Sequence, residues 1–455
     1  MFKKINHIHF VGIGGAGMSG IAQVLLSINY KVTGSDISKS DAVLRLVKQG
    51  AKVYIGHKKE NIYGADVVVT STAIFPDNPE VEEALRKKIP VIPRAEMLAE
   101  LMRLKYAITI AGTHGKTTTT SIVAMILDKG GLDPTVIIGG KLMNIGSHAR
   151  YGKGDYIVAE ADESDGSFLK LTPAIAIVTN IDADHLDYYG NIENIKEAFV
   201  TFVNKVPFYG CSIICGDDVN TKSIIPMIKR KYYTYGLNGD YDFTARDIKL
   251  KKLRSEFTVY YKKTKLGMVE FSKMGRHNVS NALAAIAVGH ELGIKFTAIK
   301  EALRNFKGVE RRLEIIGEKK NVEFIDDYGH HPNEIIATLD AIKKSWPDRR
   351  LLVIFQPHRY TRTKAHQWAF AKSFEDADKL WLTPIYPAGE QPISGVSTEL
   401  IMAHFSKNKI KNVMLIKDMV SLIDSVKKEL RPGDILLTLG AGPIWKTGRQ
   451  LFEEY

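Results

Sequence analysis

The residues best suited to chemistry in this sequence form a phosphate-binding loop that follows a short apolar run, Ala107–Ile110. The loop and the residues after it read Gly112, Thr113, His114, Gly115, Lys116, Thr117 and Thr118. Backbone amides of such a loop can cradle phosphates, while Lys116 can reach the outer phosphates and a threonine hydroxyl can bind Mg²⁺. The common pattern has a glycine at position 110, so this loop is a shortened variant. The order of strand, loop and helical stretch Thr119–Lys129 predicts an ATP site.

A second glycine-rich loop lies near the N-terminus, between a predicted strand, His7–Val11, and an amphipathic stretch, Met18–Tyr30. Its residues are Gly12, Gly14, Gly15, Ala16 and Gly17, and Asp36 follows a further predicted strand, Lys31–Thr33. This order matches the dinucleotide fingerprint, in which glycines permit a tight turn and a helix N-terminus faces a diphosphate. The pattern is open to three interpretations: a nicotinamide cofactor, another diphosphate such as a UDP-sugar, or a turn without a ligand.

The two loops together restrict the function. A dehydrogenase has no use for the phosphate loop that begins at Gly112, and a simple kinase has no use for the N-terminal loop that begins at Gly12. We therefore expect ATP and a second, nucleotide-bearing substrate, bound in separate domains.

Two acidic clusters follow predicted strands. In the first, the run DYIVAEA ends at four carboxylates, Glu160, Asp162, Glu163 and Asp165. Oxygen ligands at a strand end beside phosphates suit Mg²⁺, although a solvated acidic loop is the plainer alternative. In the second cluster, His185 lies among aspartates after the strand Ala174–Asn180. A histidine in that setting indicates a functional role more than a structural one.

Three further groups each have a functional and a structural interpretation. Asn278 and Asn281 can pair with the edge of an adenine, or can cap a helix. The arginine pairs suit phosphate or carboxylate binding, or lie on a solvated face; they are Arg311, Arg312, Arg359 and Arg362. Cys211 and Cys215 are expected to be small buried residues and not a metal pair.

The elements that must position these residues alternate between short β-branched runs and amphipathic stretches. Examples of the runs are HIHFV, ADVVVTS, YAITIAG, AIAIVTN, RLLVIF and DILLTLG. This alternation is typical of doubly wound α/β sheets. We predict three domains, with boundaries at residues 1–106, 107–312 and 313–455: a Rossmann-like domain, a P-loop ATPase-type domain whose parallel sheet has a small antiparallel portion, and a second Rossmann-like domain.

Composition places the chain among ordinary globular proteins. Its 455 residues are 45% hydrophobic and 25% charged, with two cysteines, which favours a reducing compartment. No apolar run has the length of a spanning helix, so we expect a cytoplasmic protein. The net charge of +12 invites a nucleic-acid hypothesis. However, ten of the basic residues lie in 246–276, which reads as a hairpin with a lysine-rich turn, and no nucleic-acid motif accompanies them.

Taken in order, the motifs resemble the Mur ligase family, in its L-alanine-adding branch. They are GIGGAGMSGIA, GTHGKTTTT, EADESDGSF, TNIDADHLDYY, GRHNVSNALAA, GVERRLE, DDYGHHPNE and FQPHRYTRT. The resemblance spans nearly the whole chain and implies a UDP-substrate domain, an ATPase domain and an amino-acid domain. It implies an ATP-dependent ligase that joins L-alanine to the carboxylate of UDP-N-acetylmuramate through an acyl phosphate, in peptidoglycan precursor synthesis. A monomer or a homodimer is expected.

The resemblance also implies a role for each site residue. The ATP set comprises the loop Gly112–Thr118 with Asn278, Asn281, Arg312 and Asp327. The metal set, for Mg²⁺ or Mn²⁺, comprises Thr117, Glu160 and His185. The UDP-substrate set comprises Gly14, Gly15, Ala16, Gly17, Met18, Asp36, Ser71, Asp162, Glu163 and Ser164. The amino-acid set comprises His330, Arg359 and Arg362, and the catalytic set Lys116, Glu160, His185, His330, His331 and Arg359. Sister ligases carry a carbamylated lysine where this chain has Phe199, with Lys196 nearby, which leaves open what orients a second metal ion.

Three rival functions remain at this stage. The nearest is a recycling ligase that joins a murein tripeptide to the same nucleotide sugar, although FQPHRYTRT favours the alanine enzyme. The others are a nicotinamide dehydrogenase and a nucleic-acid-dependent ATPase.

Overall fold

A computed structural model describes residues 4–405 and 412–455. The chain divides into two compact units. The larger comprises the described residues up to Ile248 together with Phe257–Phe271 and Ser280–Lys307, and the smaller comprises Lys249–Glu256, Ser272–Val279 and the described residues from Gly308 onward. Three sheets carry the fold, and the α/β class predicted from the sequence is confirmed.

The first sheet has five parallel strands in the order β3-β2-β1-β4-β5. The strands are β1 His7–Val11, β2 Lys31–Asp36, β3 Lys52–Ile55, β4 Val67–Thr70 and β5 Val91–Pro93. The helices are α1 Ala16–Ser27, α2 Asp41–Lys48, α3 Pro79–Arg86 and α4 Arg94–Met102, with a 3₁₀ turn at Lys59–Ile62. The strand order reverses between β1 and β4, which is where Rossmann-like sheets bind ligands. The glycine loop follows β1, and Ser71 follows β4.

The second sheet has ten strands in the order β15-β14-β13-β12-β11-β10-β6-β9-β7-β8. The strands are β6 Tyr106–Ala111, β7 Thr135–Leu142, β8 Ser147–Arg150, β9 Tyr156–Glu160, β10 Ile175–Val178, β11 Cys211–Cys215, β12 Tyr232–Gly236, β13 Phe243–Lys251, β14 Arg254–Tyr261 and β15 Thr264–Phe271. The helices are α5 Lys116–Lys129, α6 Leu186–Tyr189, α7 Ile192–Val203, α8 Val219–Ile224, α9 Arg276–Glu291 and α10 Phe296–Arg304, with 3₁₀ turns at Ser167–Lys170 and Ile225–Met227. Strands β7 and β8 pair antiparallel, and the lysine-rich hairpin forms as β14 and β15.

The third sheet has the order β16-β17-β21-β18-β19-β20, and only β16 pairs antiparallel among the described pairs. The strands are β16 Glu314–Lys319, β17 Val322–Asp327, β18 Leu351–Phe355, β19 Lys379–Leu382, β20 Val413–Leu415 and β21 Ile435–Leu439. The helices are α11 Pro332–Ser345, α12 Tyr360–Ser373, α13 Glu399–Phe405, α14 Met419–Glu429 and α15 Ile444–Glu454. Within the described residues, no helix is long and apolar enough to cross a membrane.

Some sequence-derived boundaries differ from the structure. Strand β2 continues to Asp36, and helix α5 begins at Lys116, one turn before the predicted start. Helix α9 begins at Arg276, so Asn278 and Asn281 lie inside its first turns and the helix-capping alternative for them is wrong. Both cysteines are buried, free thiols on β11, as expected.

Helix α1 of the N-terminal domain contacts the central sheet at the hairpin β7–β8. Helix α1, which follows the first loop, packs on β7 and β8, and Gly20 of α1 lies against Ile137 and Ala149. The side-chain amide of Gln23 donates to the carbonyl of Ala149 at 2.9 Å and accepts from the hydroxyl of Ser147 at 3.1 Å. These contacts between α1 and the hairpin β7–β8 therefore hold the N-terminal sheet and the central sheet together.

Candidate active site

The phosphate loop adopts a backbone that only glycine tolerates at its two ends. Gly112 has a φ of +131° and Gly115 a φ of +81°. A Cβ on Gly112 would lie 2.1 Å from the hydroxyl oxygen of Thr179, and one on Gly115 would lie 2.7 Å from the side-chain oxygen of Asn281. An alanine at either position would therefore add both backbone strain and a clash.

Residues after the neighbouring strand β10 fix the loop. The amide of His114 donates to the side-chain oxygen of Asn180 at 2.8 Å, and the amide of Thr113 donates to the carbonyl of Asn180 at 3.1 Å. The hydroxyl of Thr179 and the side-chain amide of Asn180 both donate to the carbonyl of His114, at 2.6 and 3.0 Å. Helix α5 follows at once, so its unpaired N–H groups face the loop and suit an anion.

Lys116 has three oxygen partners. Its Nζ donates to the carbonyls of Gly112 at 2.6 Å and Thr113 at 3.2 Å, and to Oε1 of Glu163 at 2.8 Å. Burial opposes the charge of Lys116, but Glu163 and the nearby carboxylates hold its pKa above the usual range. Burial raises the pKa of Glu163 to about 7, although Lys116 favours the charged form. Within the described residues, Oε2 of Glu163 is buried without a hydrogen-bond partner.

Glu160 ends β9, next to the strand that carries the phosphate loop. One of its carboxylate oxygens accepts the amide of Gly139 on β7 at 2.8 Å. A Cβ on Gly139 would lie 2.9 Å from the other carboxylate oxygen. Gly139 therefore fixes the direction of a carboxylate that the sequence assigns to a metal ion, and the sequence pattern did not identify Gly139.

The oxygen ligands at this edge fit Mg²⁺. Glu160 lies at the end of β9, and Thr117 lies in the first turn of α5 beyond the adjacent strand β6. Glu160 is also one of the carboxylates that hold the pKa of Lys116 above its usual range. Carboxylate and hydroxyl oxygens are the ligands that Mg²⁺ prefers near phosphates.

The second proposed metal ligand, His185, precedes the short helix α6 and has a φ of +55°. Its Nε2 lies 3.6 Å from Oδ2 of Asp184. Phe199 is fully buried, and Lys196 pairs with Glu193 at 2.9 Å. A contact that the sequence did not indicate places Nε2 of His114 within hydrogen-bond distance of Oδ2 of Asp182, at 3.2 Å.

Asp36, the carboxylate expected to contact the ligand, forms a hydrogen bond with the first glycine loop. Oδ2 of Asp36 accepts the amide of Gly14 at 2.8 Å, so Asp36 supports the loop itself. The amides of Gly12 and Ile13 both donate to the carbonyl of Ser35 at 2.9 Å. The side chain of Met18 is buried in the core.

Three further UDP-substrate residues, Asp162, Glu163 and Ser164, lie in the turn after β9. Oδ1 of Asp162 accepts the amide of Ser164, and Oδ2 pairs with Arg94 at 3.0 Å. Burial raises the pKa of Asp162, but Lys116, Ser164 and Arg94 outweigh it and hold the pKa below the ordinary value. The hydroxyl of Tyr189 donates to the carbonyl of Glu163 at 2.5 Å and fixes the turn.

The two asparagines of α9 are buried. Asn281 lies against Gly115, as described above, and so adjoins the phosphate loop. The side-chain amide of Asn278 donates to the carbonyl of Met274 at 2.9 Å.

The smaller unit gathers its predicted residues at the carboxyl ends of its parallel strands. Asp327, at the end of β17, accepts the amides of Leu313 and Gly329, each at 2.7 Å. Burial raises the pKa of Asp327 to about 6. Arg312 pairs with Glu334 at 3.3 Å and lies over the ring of Tyr328.

The adjacent histidines His330 and His331 differ in their roles. His331 is the N-cap of α11, where its Nδ1 accepts the amide of Asn333 at 3.4 Å and Glu334 completes the cap. Desolvation lowers the pKa of His330 to about 3, which leaves a neutral imidazole at neutral pH. The ring of His330 lies 5.6 Å from that of His358.

Arg359 and Arg362 begin α12 after β18. Arg359 has a φ of +68°, a conformation that places a non-glycine residue under strain, and strained residues cluster at functional sites. The guanidinium of Arg362 lies 3.4 Å from Nδ1 of His358. His358 stacks on Tyr386 at 5.8 Å, and burial together with the nearby arginines lowers its pKa to about 4.

Comparison with known proteins gives the same assignment over all three sheets. Three family models match: "Mur ligase family, catalytic domain" at residues 7–106, "Mur ligase middle domain" at 110–289 and "Mur ligase, glutamate ligase domain" at 311–442. The chain is 56% identical over 454 residues to a UDP-N-acetylmuramate–L-alanine ligase of Geotalea uraniireducens, covering 100% of this chain and 99% of the relative. It is also 56% identical to the enzyme of that name from Endomicrobium trichonymphae, covering 99% of each.

Two solved structures share the fold along nearly the whole chain. A UDP-N-acetylmuramate-alanine ligase from Thermotoga maritima superposes with a TM-score of 0.83 at 29% identity, covering 99% of both chains. A murein peptide ligase from Psychrobacter arcticus superposes with a TM-score of 0.73 at 26% identity, covering 98% of both. From its phosphate loop, its acidic strand ends and these matches, the chain belongs to the Mur ligase family.

Proposed function

We propose that the protein joins L-alanine to the lactyl carboxylate of UDP-N-acetylmuramate, with hydrolysis of ATP to ADP and phosphate. The reaction supplies a precursor of peptidoglycan. One observation carries this proposal: the chain has two glycine loops, each before a helix N-terminus. It is supported by relatives at 56% identity that are named for this activity. One loop suits the diphosphate of the nucleotide sugar, and the other suits the phosphates of ATP.

The reaction needs no nucleophile from the protein. The substrate carboxylate attacks the γ-phosphate of ATP and forms an acyl phosphate and ADP. The amine of L-alanine then attacks the acyl carbon, an amide forms, and phosphate leaves. Catalysis in such a transfer rests on positioning and on charge stabilisation.

In this proposal, Lys116 supplies the positive charge for the transferred phosphoryl group. It must first exchange the carbonyls of its own loop and Glu163 for phosphate oxygens. Glu160 and Thr117 would hold Mg²⁺, and His185 would be a ligand for a second ion. Mg²⁺, when bound, neutralises charge on the phosphates.

Adenine is proposed to lie beside Asn281, which adjoins the phosphate loop. Asn278, Arg312 and Asp327 complete the proposed ATP set. Arg312 offers its guanidinium, whereas the carboxylate of Asp327 already accepts two backbone amides.

Arg359 and Arg362 are proposed to bind the carboxylate of L-alanine, because a guanidinium binds a carboxylate through two parallel hydrogen bonds. Neither histidine suits the role of proton acceptor from the alanine amine. A pKa of about 3 makes His330 a weak base, and Nδ1 of His331 caps α11. His330 is better suited to accept a hydrogen bond that orients the amine.

The experiment that tests this function measures ADP release with UDP-N-acetylmuramate against L-alanine, glycine, L-serine and a murein tripeptide. We expect ADP only when the nucleotide sugar and L-alanine are both present. Release with the nucleotide sugar and the tripeptide, but not with L-alanine, would instead assign a murein peptide ligase, the activity in the name of the Psychrobacter arcticus structure. Release stimulated by DNA or RNA, or binding of a nicotinamide cofactor, would contradict the proposal.

A further inference from the structure

Arg94 lies between the first glycine loop and the acidic turn after β9 but belongs to neither motif. It is the first residue of α4, directly after the edge strand β5. Its Nη2 donates to Oδ2 of Asp162 at 3.0 Å, in the turn beyond β9. About a quarter of the side chain is exposed, so the guanidinium is held in place and still reaches solvent.

The other side of the guanidinium faces the first glycine loop. A Cβ on Gly17 would lie 2.6 Å from Nη1 of Arg94 and 3.3 Å from Cζ. Gly17 is in the first turn of α1, and its φ lies outside the left-handed region. The guanidinium of Arg94 therefore occupies the space that a side chain at this position would fill, and a larger residue would displace it.

Positive charge therefore converges on one place. Helix α1 has 12 residues, no side chain caps its N-terminus, and its first turn contains no acidic residue. Its first N–H groups carry partial positive charge, and a guanidinium packed beside them adds a full charge and planar donors. A diphosphate matches this arrangement, because phosphate oxygens accept parallel hydrogen bonds from arginine.

We propose that Arg94 is a substrate-positioning residue that binds the diphosphate of the UDP-substrate, with Asp162 fixing the orientation of its guanidinium. The inference rests on the proposed function for the identity of the nucleotide. It adds a residue outside the glycine fingerprint, and it gives Asp162 a role in orienting Arg94.

The competing explanation is a purely structural ion pair that ties α4 to the turn after β9. The two explanations differ in their dependence on phosphate. A structural role affects stability and all ligands alike, whereas a diphosphate contact affects UDP and spares uridine, which has the same base and sugar without the charge.

The test is isothermal titration of the full-length protein with UDP and with uridine. The variants are R94M, R94K and D162N, and the control is R103M. Arg103 follows the same helix, pairs with Glu100 at 2.7 Å and is mostly exposed, so its loss removes an arginine ion pair far from the loop.

For R94M we expect the Kd of UDP to rise by roughly 10- to 100-fold, because hydrogen bonds to charged groups are among the strongest in proteins. The Kd values of uridine and of ATP should stay within about twofold of wild type. R94K should lie between R94M and wild type, and serves as the measurement if R94M does not fold. D162N should weaken UDP binding less than R94M, because the guanidinium remains. R103M should match wild type.

An unchanged Kd of UDP in R94M or R94K would overturn the inference, as would equal weakening of UDP and uridine. A wild-type protein that does not bind UDP would instead overturn the proposed function, so the two failures are distinguishable.

Discussion

Gly139 offers a direct test of how the site orients its metal-binding carboxylate. The amide of Gly139 donates to one oxygen of Glu160 at 2.8 Å, and a Cβ at this position would lie 2.9 Å from the other. Ordinary contact begins at 3.4 Å, so in Gly139→Ala the carboxylate must retreat by about 0.5 Å (3.4 − 2.9). The backbone of Gly139 lies outside the left-handed region, so the methyl group adds no backbone strain.

A displacement of this size exceeds the tolerance of a metal site, where ligand distances hold to about 0.2 Å. Loss of an outer partner of a ligand typically weakens metal binding about 10- to 100-fold, which is about 1.4 to 2.7 kcal/mol. We therefore expect Gly139→Ala to need 10 to 100 times more Mg²⁺ for half-maximal ADP release. The melting temperature of the metal-free protein should change little, because the glycine is exposed.

The assay combines Mg²⁺ titration of ADP release with direct Mn²⁺ binding by electron paramagnetic resonance. Met143→Ala is the control, because Met143 is an exposed residue near the tip of the same hairpin. Wild-type metal dependence in Gly139→Ala would refute the reasoning. So would an equal shift in Met143→Ala, since the effect would then belong to the hairpin and not to Glu160.

Three further experiments have defined outcomes. Lys116→Ala should lower the rate of ADP release by at least about 100-fold, because the transferring phosphate loses its cationic partner; turnover near wild type would contradict the loop's role. The raised pKa of Glu163, about 7, means that the folded protein holds a proton more tightly than the unfolded chain, so stability falls as pH rises from about 4.5 to 7. Glu163→Gln should make the melting temperature fall less over this pH range. An equal fall in the melting temperature of the variant and of the wild type would contradict the prediction. Burial raises the pKa of Cys211 to about 12 and raises that of Cys215, so neither thiol should react with Ellman's reagent until the protein is unfolded by guanidinium.

The sequence was most informative where neighbours in the chain determine the geometry. The loop Gly112–Gly115 needs glycines at two backbone positions, and the strand before it and the helix after it are both local patterns. Carboxyl ends of adjacent parallel strands meet at one edge, which is why Glu160 and Asn180 could be expected near this loop.

The sequence was least informative where a contact joins distant segments. Gly139 touches Glu160 and Arg94 touches Gly17 only because strands and helices pack, and no spacing in the chain encodes either pair. The sequence also did not locate the start of α9, because by residue type alone either asparagine is a plausible helix cap. The domain boundaries and the role of each site residue remain predictions.

The three partners of Lys116 have a consequence for inhibitor discovery. The ammonium of Lys116 has two carbonyls and a carboxylate as partners, so an anionic compound gains only the difference between its own contacts and those it displaces. Simple phosphate mimics should accordingly score poorly in screens run without nucleotide. A neutral compound that leaves the lysine in place can instead donate to Oε2 of Glu163, which is buried and has no hydrogen-bond partner among the described residues. Such a compound would oppose ATP by keeping Lys116 paired with Glu163, without resembling ATP.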